Sequence, residues 1–379
     1  MRSPEQFYAK TIQLPFKIKR RVLALGGQTK NTLCFARGDF AFLSPEQPDL
    51  NNPEDYHKFE AWAKHFFKKH PQAIAYDLHP EYQSTKYALA LSVLNYQLVP
   101  VQHHHAHIAS CMAQNGLKNQ KVIGVAFDGT GLGQDSTIWG AEFIICDYAT
   151  YRRVGHLREI PLLGGERAII EPWRLAAVWL YLAYKDEFWK LKLDFVRALN
   201  KKKWRVLKNM YLAGYNSPLA SSMGRLFDAA ASLTLARTQV AFEAELAIGL
   251  EKLAAKSALS SGTAYKFNLT VKKGVYVLDP LPIFKGIISD LRAKKRKEDI
   301  AYKFHLTAAQ MLKKTCLGLR RKYGLNSVVL SGGVFQNKLL LRLSLDLLYK
   351  EGFKVITAKN ISCNDSGISL GQAIIAGIR

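Results

Sequence analysis

The pattern of apolar residues along the chain occurs twice. An apolar segment at residues 22–27 runs into a glycine turn and then a second apolar segment at 33–43. The same order begins again at residues 122–129 and continues at 138–148. Both opening segments are almost entirely apolar, as expected of strands covered on both faces of a sheet. The repetition predicts a duplicated α/β fold.

Later segments predict more strands and a helical middle section. Residues 327–333 and 353–360 each resemble a strand that leads through a turn into a helix. Over residues 170–320 the apolar positions mostly recur at helical spacing. Within that range, residues 264–278 alternate between apolar and polar side chains, which predicts a β-hairpin.

These patterns also predict the domain boundaries. Residues 1–20 are polar, contain two prolines and are expected to form a linker. Residues 21–120 are expected to form a first α/β lobe. Residues 121–379 are expected to form a second lobe that carries the helical insertion at 170–320.

The composition narrows the class of protein. Of 379 residues, 48% are hydrophobic and 22% are charged, which is typical of a folded globular chain and excludes a disordered one. The five cysteines include no C-x-x-C pair, which excludes a zinc ribbon and favours a reducing compartment. The apolar run at 175–184 is too short to span a bilayer, and the N-terminus lacks the apolar core of a signal peptide. We therefore expect a cytoplasmic protein without a membrane segment.

The charge balance is unusual, because 54 basic residues against 30 acidic ones give a formal net charge of +24. Such a field favours acidic partners, which include nucleotides, acidic proteins and nucleic acid. Much of the excess lies in residues 185–210, where Trp189 and Trp204 are interleaved, and at 294–297. Aromatic and basic residues together could bind nucleic acid. A solvated helix face with its aromatic side chains in the core is the simpler interpretation.

Four of the ten histidines fall within residues 103–107. His103 and His107 are four residues apart at the start of a predicted helix, so both imidazoles can reach one metal ion. Two histidines make an incomplete site, and Asp128 and Asp365 are the candidate carboxylate ligands. Asp128 could instead order its turn, and Asp365 or the neighbouring Asn364 could cap a helix.

Three glycine-rich turns follow predicted strands, at residues 26–32, 128–135 and 331–337. Such turns present backbone N–H groups to phosphate oxygens, so we expect a nucleotide between two lobes. None of the turns matches a P-loop or a dinucleotide-binding fingerprint, which disfavours both enzyme classes. Cys111 follows His107 by one helical turn, but no activating base is evident, so a nucleophilic role is disfavoured.

These residues belong to long motifs that resemble the hydrogenase-maturation carbamoyltransferases, the HypF family, in their large C-terminal catalytic part. The resemblance runs from Val22 to the end of the chain. The motifs are ALGGQTKNTLCFARGDFAFLS, YDLHPEYQSTKYA, QHHHAHIAS, VIGVAFDGTGLGQDSTIWGAEF, HLREIPLLGGERAIIEPWRLA, SSMGRLFDAAASL, LSGGVFQNKLL and NDSGISLGQA. The resemblance implies a duplicated two-lobed actin and sugar-kinase-like (ASKHA) fold, shared with tRNA threonylcarbamoyltransferases and antibiotic O-carbamoyltransferases.

The resemblance also implies a metal-dependent carbamoyltransferase and its site residues. An iron or zinc ion would be held by His103, His107, Asp128 and Asp365, of which the first three are also the candidate catalytic residues. Carbamoyl-adenylate or ATP would be held by residues of the glycine turns and of the SSMGRLFD and FQN motifs. These candidate contacts are Lys30, Gly129, Gly131, Gly165, Gly224, Asp228, Gly332, Gly333 and Asn337.

The implied reaction transfers the carbamoyl group of carbamoyl-adenylate to the C-terminal cysteine thiol of the maturation partner HypE. It belongs to the synthesis of the cyanide ligands of nickel-iron hydrogenase. Full-length family members carry further domains ahead of this region, one of which makes carbamoyl-adenylate. We therefore expect a separate activating domain or protein to act with this chain.

The sequence departs from the family pattern at a few positions. Where the family usually has Asp and Arg, this chain has Glu166 and Ile170, and the usual EGQAA is replaced by EAELA at 243–247. Two alternatives stay open. The acceptor could be a small-molecule hydroxyl or a tRNA, and the net charge of +24 favours the latter. Ile170 and Glu245 leave open a chain that binds a nucleotide or partner without turnover.

Overall fold

The computed structural model describes residues 8–94, 96–259 and 263–379. Its strands are β1 (Lys10–Gln13), β2 (Val22–Ala24), β3 (Thr29–Asn31), β4 (Cys34–Arg37), β5 (Phe40–Leu43), β6 (Gln47–Asp49), β7 (Ala73–Asp77), β8 (Gln97–Val101), β9 (Val122–Phe127), β10 (Ile138–Cys146), β11 (Tyr151–Leu157), β12 (Ile160–Pro161), β13 (Leu219–Ser222), β14 (Asn268–Lys272), β15 (Val275–Asp279), β16 (Ser327–Ser331) and β17 (Lys354–Thr357). Its helices are α1 (Pro53–Phe67), α2 (Gln83–Ala90), α3 (His103–Gln114), α4 (Arg167–Ile170), α5 (Trp173–Tyr184), α6 (Asp194–Ala198), α7 (Lys201–Ala213), α8 (Met223–Leu235), α9 (Glu245–Ala254), α10 (Leu281–Arg292), α11 (Lys297–Tyr323), α12 (Lys338–Lys350) and α13 (Ile368–Ile378).

Two large sheets share the topology of their five central strands. The first has the order β1-β5-β4-β2-β7-β8, and the second has β14-β15-β11-β10-β9-β16-β17, with β13 beside β10 and β12 beside β13. In the first sheet β2, β4 and β5 pair antiparallel in turn, while β7 and β8 continue parallel to β2. In the second, β9, β10 and β11 pair antiparallel, while β16 and β17 continue parallel to β9. The shared order confirms the predicted duplicated two-lobed α/β fold.

The last helix of each half packs against the sheet of the other half. Helix α3 contacts β9 and β16, whereas α13 contacts β2, β4 and β7. The two helices also pack closely against each other, and a Cβ atom on Gly371 would lie 1.9 Å from the carbonyl oxygen of Ala106. Only glycine allows this approach. The crossing brings the start of α3 close to the turn that precedes α13.

Strand β9 is closely packed at the centre of the second sheet. All of Val122–Phe127 is buried, as the uninterrupted apolar pattern predicts for a strand covered on both faces. A Cβ atom on Gly124 would lie 2.8 Å from Cγ1 of Ile108 in α3, so this glycine lets the helix lie close to the strand. The carboxyl end of β9, where Asp128 follows, is therefore held in a fixed position.

The section between β11 and β16 is mainly helical and carries α4 to α11. The predicted hairpin is confirmed, because β14 and β15 pair antiparallel at the edge of the second sheet. Trp204 of the basic helix α7 is 3% exposed and packs edge-on against Phe188. This burial agrees with the simpler interpretation, in which the basic side chains are solvated and the aromatic ones turn inwards.

The prediction that residues 1–20 form a linker is wrong for residues 8–20, and residues 1–7 lie outside the described residues. Strand β1 pairs with β5 at the edge of the first sheet, and Ile12, Leu14 and Ile18 are buried. An edge strand of four residues with one buried side chain gives little periodic signal, so the sequence pattern did not reveal it. The boundary between lobes at 120/121 remains a proposal.

Across residues 8–94, 96–259 and 263–379, no helix is both long and apolar enough to cross a bilayer.

Candidate active site

Helix α3 begins with the histidine pair. Gln102 precedes the helix and caps it, because its side-chain oxygen accepts a hydrogen bond from the His105 N–H. One helical turn separates His103 from His107, and their ring centres lie 5.0 Å apart. Both imidazoles are buried at the junction of the two halves.

Two carboxylates from the second half face these imidazoles. Oδ2 of Asp128, directly after β9, lies 2.8 Å from Nε2 of His107 and 3.7 Å from Nε2 of His103. Oδ1 of Asp365, just before α13, lies 3.6 Å and 3.8 Å from the same two nitrogens. The four ligand-type atoms lie within 4.8 Å of one another. The structure thus brings together all four residues that the sequence suggested as metal ligands.

The sequence left open whether Asp128 only orders its turn and whether Asp365 or Asn364 caps a helix. The structure answers both questions. Asn364 is the residue that caps, because its Oδ1 accepts from the N–H and hydroxyl of Ser366. This leaves the Asp365 carboxylate directed at the histidines. Asp128 does order its turn, since its Oδ1 accepts from the Gly129 N–H at 2.7 Å, while its Oδ2 faces His107.

The chemistry of these atoms fits a metal ion. His103 Nε2, His107 Nε2 and Asp128 Oδ2 are buried and form no well-aligned hydrogen bond among the described residues, although His107 Nε2 and Asp128 Oδ2 lie 2.8 Å apart. Leaving several polar atoms unpaired in one small space is costly, and a cation would satisfy all of them together. Two imidazole nitrogens with two carboxylate oxygens suit iron or zinc better than magnesium.

The pKa shifts of His103 and Asp128 also favour a bound cation. Burial alone would lower the pKa of His103, but the carboxylates of Asp77, Asp128 and Asp365 raise it well above its usual value. Burial raises the pKa of Asp128, yet the two imidazoles outweigh this effect and hold it well below its usual range. The pocket therefore favours a positive charge, which protons supply in the absence of a metal ion.

Asp77 is a site residue that the sequence reasoning missed. It ends β7 and is fully buried, and its Oδ2 accepts a hydrogen bond from Nδ1 of His103 at 2.8 Å. A carboxylate on the second nitrogen of a ligating imidazole fixes the orientation and tautomer of the ring. The available signal was the aspartate that closes the apolar segment AIAYD within the YDLHPEY motif.

The two remaining histidines of the cluster are bonded elsewhere and are not among the candidate metal ligands. Nε2 of His105 lies 2.7 Å from the carbonyl oxygen of Asp147, and burial lowers the pKa of His105 to about 4. Nδ1 of His104 lies 3.1 Å from the side-chain nitrogen of Gln102. They are buried in the protein interior as neutral rings.

The glycine turn after β9 is fixed to the start of α8. The hydroxyl of Ser222 lies 2.8 Å and 2.7 Å from the carbonyl oxygens of Asp128 and Gly129. A Cβ atom on Gly224 would lie 2.8 Å from Cα of Gly129, and one on Gly131 would lie 2.5 Å from the ring of His104. These glycines are required by close packing, whatever else they bind.

The glycine turn after β16 reaches the same place. Gly332 has a φ of 101°, and a Cβ atom there would lie 2.3 Å from the carbonyl oxygen of Phe127. A Cβ atom on Gly333 would lie 3.2 Å from Oδ1 of Asp128. In the first turn, a Cβ atom on Gly27 would lie 3.7 Å from Oδ2 of Asp365. All three predicted phosphate-binding turns therefore meet beside the candidate metal centre.

Asp228 lies on α8, one helical turn after Gly224, and is 3% exposed. Burial raises its pKa to about 6, although the guanidinium of Arg225 opposes this shift. Nη2 of Arg225 lies 3.2 Å from Oδ2 of Asp228 and 2.8 Å from Oε1 of Glu243. The sequence suggested Asp228 as a nucleotide contact but gave no indication of the other two residues.

The remaining candidate contacts have varied surroundings. Asn337 caps α12 through its Oδ1, and its Nδ2 lies 2.9 Å from Nε2 of His305, so the protein uses both groups. Lys30 is exposed on β3, and Gly165 lies in the turn before α4 with a φ of 58°. Their roles as nucleotide contacts stay predictions.

The departures from the family pattern have local partners. Oε1 of Glu245 lies 2.7 Å from Nη1 of Arg237, and its Oε2 accepts from the Ala241 N–H. The added carboxylate is thus neutralised by its own cation. Ile170 is 42% exposed at the end of α4.

Cys111 is buried, and burial raises the pKa of its thiol, which weakens it as a nucleophile.

Comparison with known families covers most of the chain. Residues 124–372 match the model described as carbamoyltransferase, Kae1-like domain, second subdomain. Residues 17–114 match the HypF Kae1-like domain.

Curated relatives agree with these matches. Carbamoyltransferase HypF2 of Cupriavidus necator is 36% identical over 94% of this chain and 46% of that protein. Carbamoyltransferase HypF of Synechocystis is 34% identical over 99% and 49%. The chain thus spans about half the length of these relatives. A carbamoyltransferase HypF homolog of C. necator is 35% identical and matches over 94% of this chain and 91% of its own length.

Solved structures show the same fold. Full-length HypF in its phosphate- and nucleotide-bound form superimposes with a TM-score of 0.90 at 39% identity, covering 98% of this chain and 48% of that one. HypF of T. kodakarensis superimposes with a TM-score of 0.84 at 29% identity, covering 97% and 48%.

Proposed function

The chain belongs to the HypF carbamoyltransferase family, and we propose that it transfers a carbamoyl group from carbamoyl-adenylate to the C-terminal cysteine thiol of a HypE-like protein. The product would enter the synthesis of the cyanide ligands of nickel-iron hydrogenase. The observation that carries this proposal is the convergence of His103, His107, Asp128 and Asp365 beside three glycine turns.

We propose that these four residues hold one iron or zinc ion. Bound there, the ion would polarise the carbamoyl carbonyl and offset the negative charge of the adjoining phosphate. Asp77 would keep His103 in the tautomer whose Nε2 faces the site.

The glycine turns and the start of α8 would position the adenylate. Backbone N–H groups of such turns bind phosphate oxygens, and the fixed contacts of Ser222 and Gly224 with the turn hold it in place without a ligand. The His103 and His107 side chains are 1% exposed, Asp128 is 10% exposed and Asp365 is 21% exposed. The site therefore opens towards solvent on the Asp365 side, where an acceptor thiol would approach.

Two partners follow from this function. A separate activating domain or protein would make carbamoyl-adenylate, and the HypE-like acceptor would provide the thiol. The net charge of +24 would speed the association of acidic partners. All five cysteines are unpaired, which supports a reducing compartment such as the cytoplasm.

The proposal is tested by reconstitution. The protein is mixed with carbamoyl phosphate, ATP, an activating domain supplied in trans and a HypE-like acceptor, and the acceptor is analysed by mass spectrometry. We expect an adduct of about 43 Da, the mass of a carbamoyl group in place of a hydrogen. It should disappear with a His103→Ala/His107→Ala double variant and persist with His57→Ala, an exposed histidine on α1.

The outcome that contradicts the proposal is a complete mixture that yields no adduct although the protein binds both metal and nucleotide. A small-molecule or tRNA acceptor, or a chain without turnover, would then replace it. An adduct that forms equally well without this protein would also contradict it.

A further inference from the structure

A buried guanidinium with unpaired N–H groups lies beside the candidate metal centre. Arg225 is 2% exposed, and within the described residues its Nε and Nη1 have no hydrogen-bond partner. Only Nη2 is engaged, by Glu243 at 2.8 Å and by Asp228 at 3.2 Å. Buried donors without acceptors are costly, so this guanidinium suits an additional anion that the protein itself does not supply.

The engaged end of this guanidinium lies beside Gly129. A Cβ atom on Gly129 would lie 2.8 Å from Oε1 of Glu243 and 3.2 Å from Nη2 of Arg225. Both side chains thus lie directly over the glycine turn that follows Asp128. A glycine turn next to a guanidinium is a typical place for a phosphate group.

Glu243 supplies the negative charge at this position. Its side chain is 53% exposed and comes from the turn before α9, whereas the Arg225 side chain is 2% exposed. The guanidinium is therefore fixed, and the carboxylate can move away without loss of packing. The next carboxylate along the chain, Glu245, is paired with Arg237 instead.

We propose that Glu243 is a charge-selecting residue, which shares Arg225 with the ligand phosphate and favours an adenylate with one phosphate charge over AMP. This inference rests on the proposed function. The phosphate of carbamoyl-adenylate is bonded to carbon at two oxygens and carries one negative charge, whereas the terminal phosphate of AMP carries nearly two at neutral pH. A carboxylate beside the phosphate repels the second charge more strongly.

The selection would act when the reaction ends. In the transfer, the acceptor sulfur forms a bond to the carbamoyl carbon, and the bond from that carbon to the phosphate oxygen breaks. The thiol proton is released, and AMP leaves with the electron pair of the broken bond on its phosphate. Because the phosphate gains a negative charge in this step, Glu243 favours release of AMP after transfer and not release of the adenylate before it.

The test compares three probes by calorimetric titration of the metal-loaded protein at pH 7.5. They are AMP, adenosine 5′-methylphosphate, whose phosphate carries one charge, and adenosine. We expect Glu243→Gln to tighten AMP binding about 10-fold, methylphosphate binding about 3-fold and adenosine binding not at all. The tenfold change corresponds to about 1.4 kcal/mol of binding free energy. Glu245→Gln is the matched control and should leave all three affinities unchanged.

A second variant separates charge from shape. Glu243→Asp keeps the charge on a shorter side chain, so it should retain more of the preference for methylphosphate over AMP than Glu243→Gln does. Weaker binding of every probe to Glu243→Gln would overturn the inference, because the carboxylate would then be a ligand contact. If adenosine binds but the ratio of AMP to methylphosphate affinity is the same in wild type and Glu243→Gln, this inference alone fails. If none of the three probes binds the wild type, the proposed function fails with it.

Discussion

The carboxylate of Asp77 lies 2.8 Å from Nδ1 of His103, so that the other ring nitrogen faces Asp128 and Asp365. Asp77 ends β7 in the first sheet, whereas Asp128 follows β9 in the second. The imidazole therefore links a carboxylate of one half to the candidate metal ligands of the other. Its geometry is fixed before any ion binds.

Replacement of Asp77 by Asn should weaken metal binding roughly 10- to 100-fold, the usual effect of losing a carboxylate behind a ligating histidine. The amide removes the negative charge that favours a cation and loosens control of the His103 tautomer. Competition with a chromophoric chelator measures the change. Asp194→Asn, at a carboxylate that is 76% exposed, is the control and should bind metal as the wild type does. Equal affinities in all three proteins would contradict a role for Asp77.

Protein purified without chelator should contain one equivalent of iron or zinc per chain, because the four ligand atoms converge on one point. The His103→Ala/His107→Ala variant should contain almost none, since only two carboxylates remain. Elemental analysis provides the measurement, with His57→Ala as the control. Metal content that stays equal in the double variant would remove the site assignment.

Local geometry explains why these ligands could be predicted. Histidines four residues apart on a helix share a face in any fold, so His103 and His107 could be paired from sequence alone. The approach of Asp77 to His103 depends on how two strands and a helix meet. The contact of Arg225 with Glu243 likewise joins α8 to the turn before α9. Neither pair has a spacing that identifies it in the sequence.

The edge strand β1 was missed for a different reason. Its residues show the burial pattern of a strand with one inward side chain, Ile12, and three exposed ones. A single apolar residue establishes no period, so the pairing with β5 supplies the structure that the pattern does not reveal. The longer buried strands, such as β9 and β16, were predicted correctly because their apolar runs are continuous.

Gly371→Ala should destabilise the protein by about 3 kcal/mol, because a methyl group there would lie 1.9 Å from the backbone oxygen of Ala106 and force α3 and α13 apart. Gly249→Ala is the matched comparison within α9, where the nearest atom is 3.5 Å away. That change should stabilise by about 0.5–1 kcal/mol through helix propensity. Urea unfolding measures both values. Equal effects of the two substitutions would contradict the close helix crossing.

Asp228→Asn should stabilise the ligand-free protein increasingly as the pH rises from about 4 to 7. Burial raises the pKa of Asp228 from 3.8 to about 6 on folding, so the folded state binds more protons than the unfolded state in this range. The stability that Asp228 contributes is therefore complete below pH 3.8 and is lost as the pH rises through 6. The shift corresponds to at most about 3 kcal/mol. Urea unfolding of wild type and variant between pH 4.5 and 7.5 should give a difference that grows with pH. A constant or shrinking difference for Asp228→Asn would mean that Arg225 keeps this carboxylate ionised throughout, at its ordinary pKa or below.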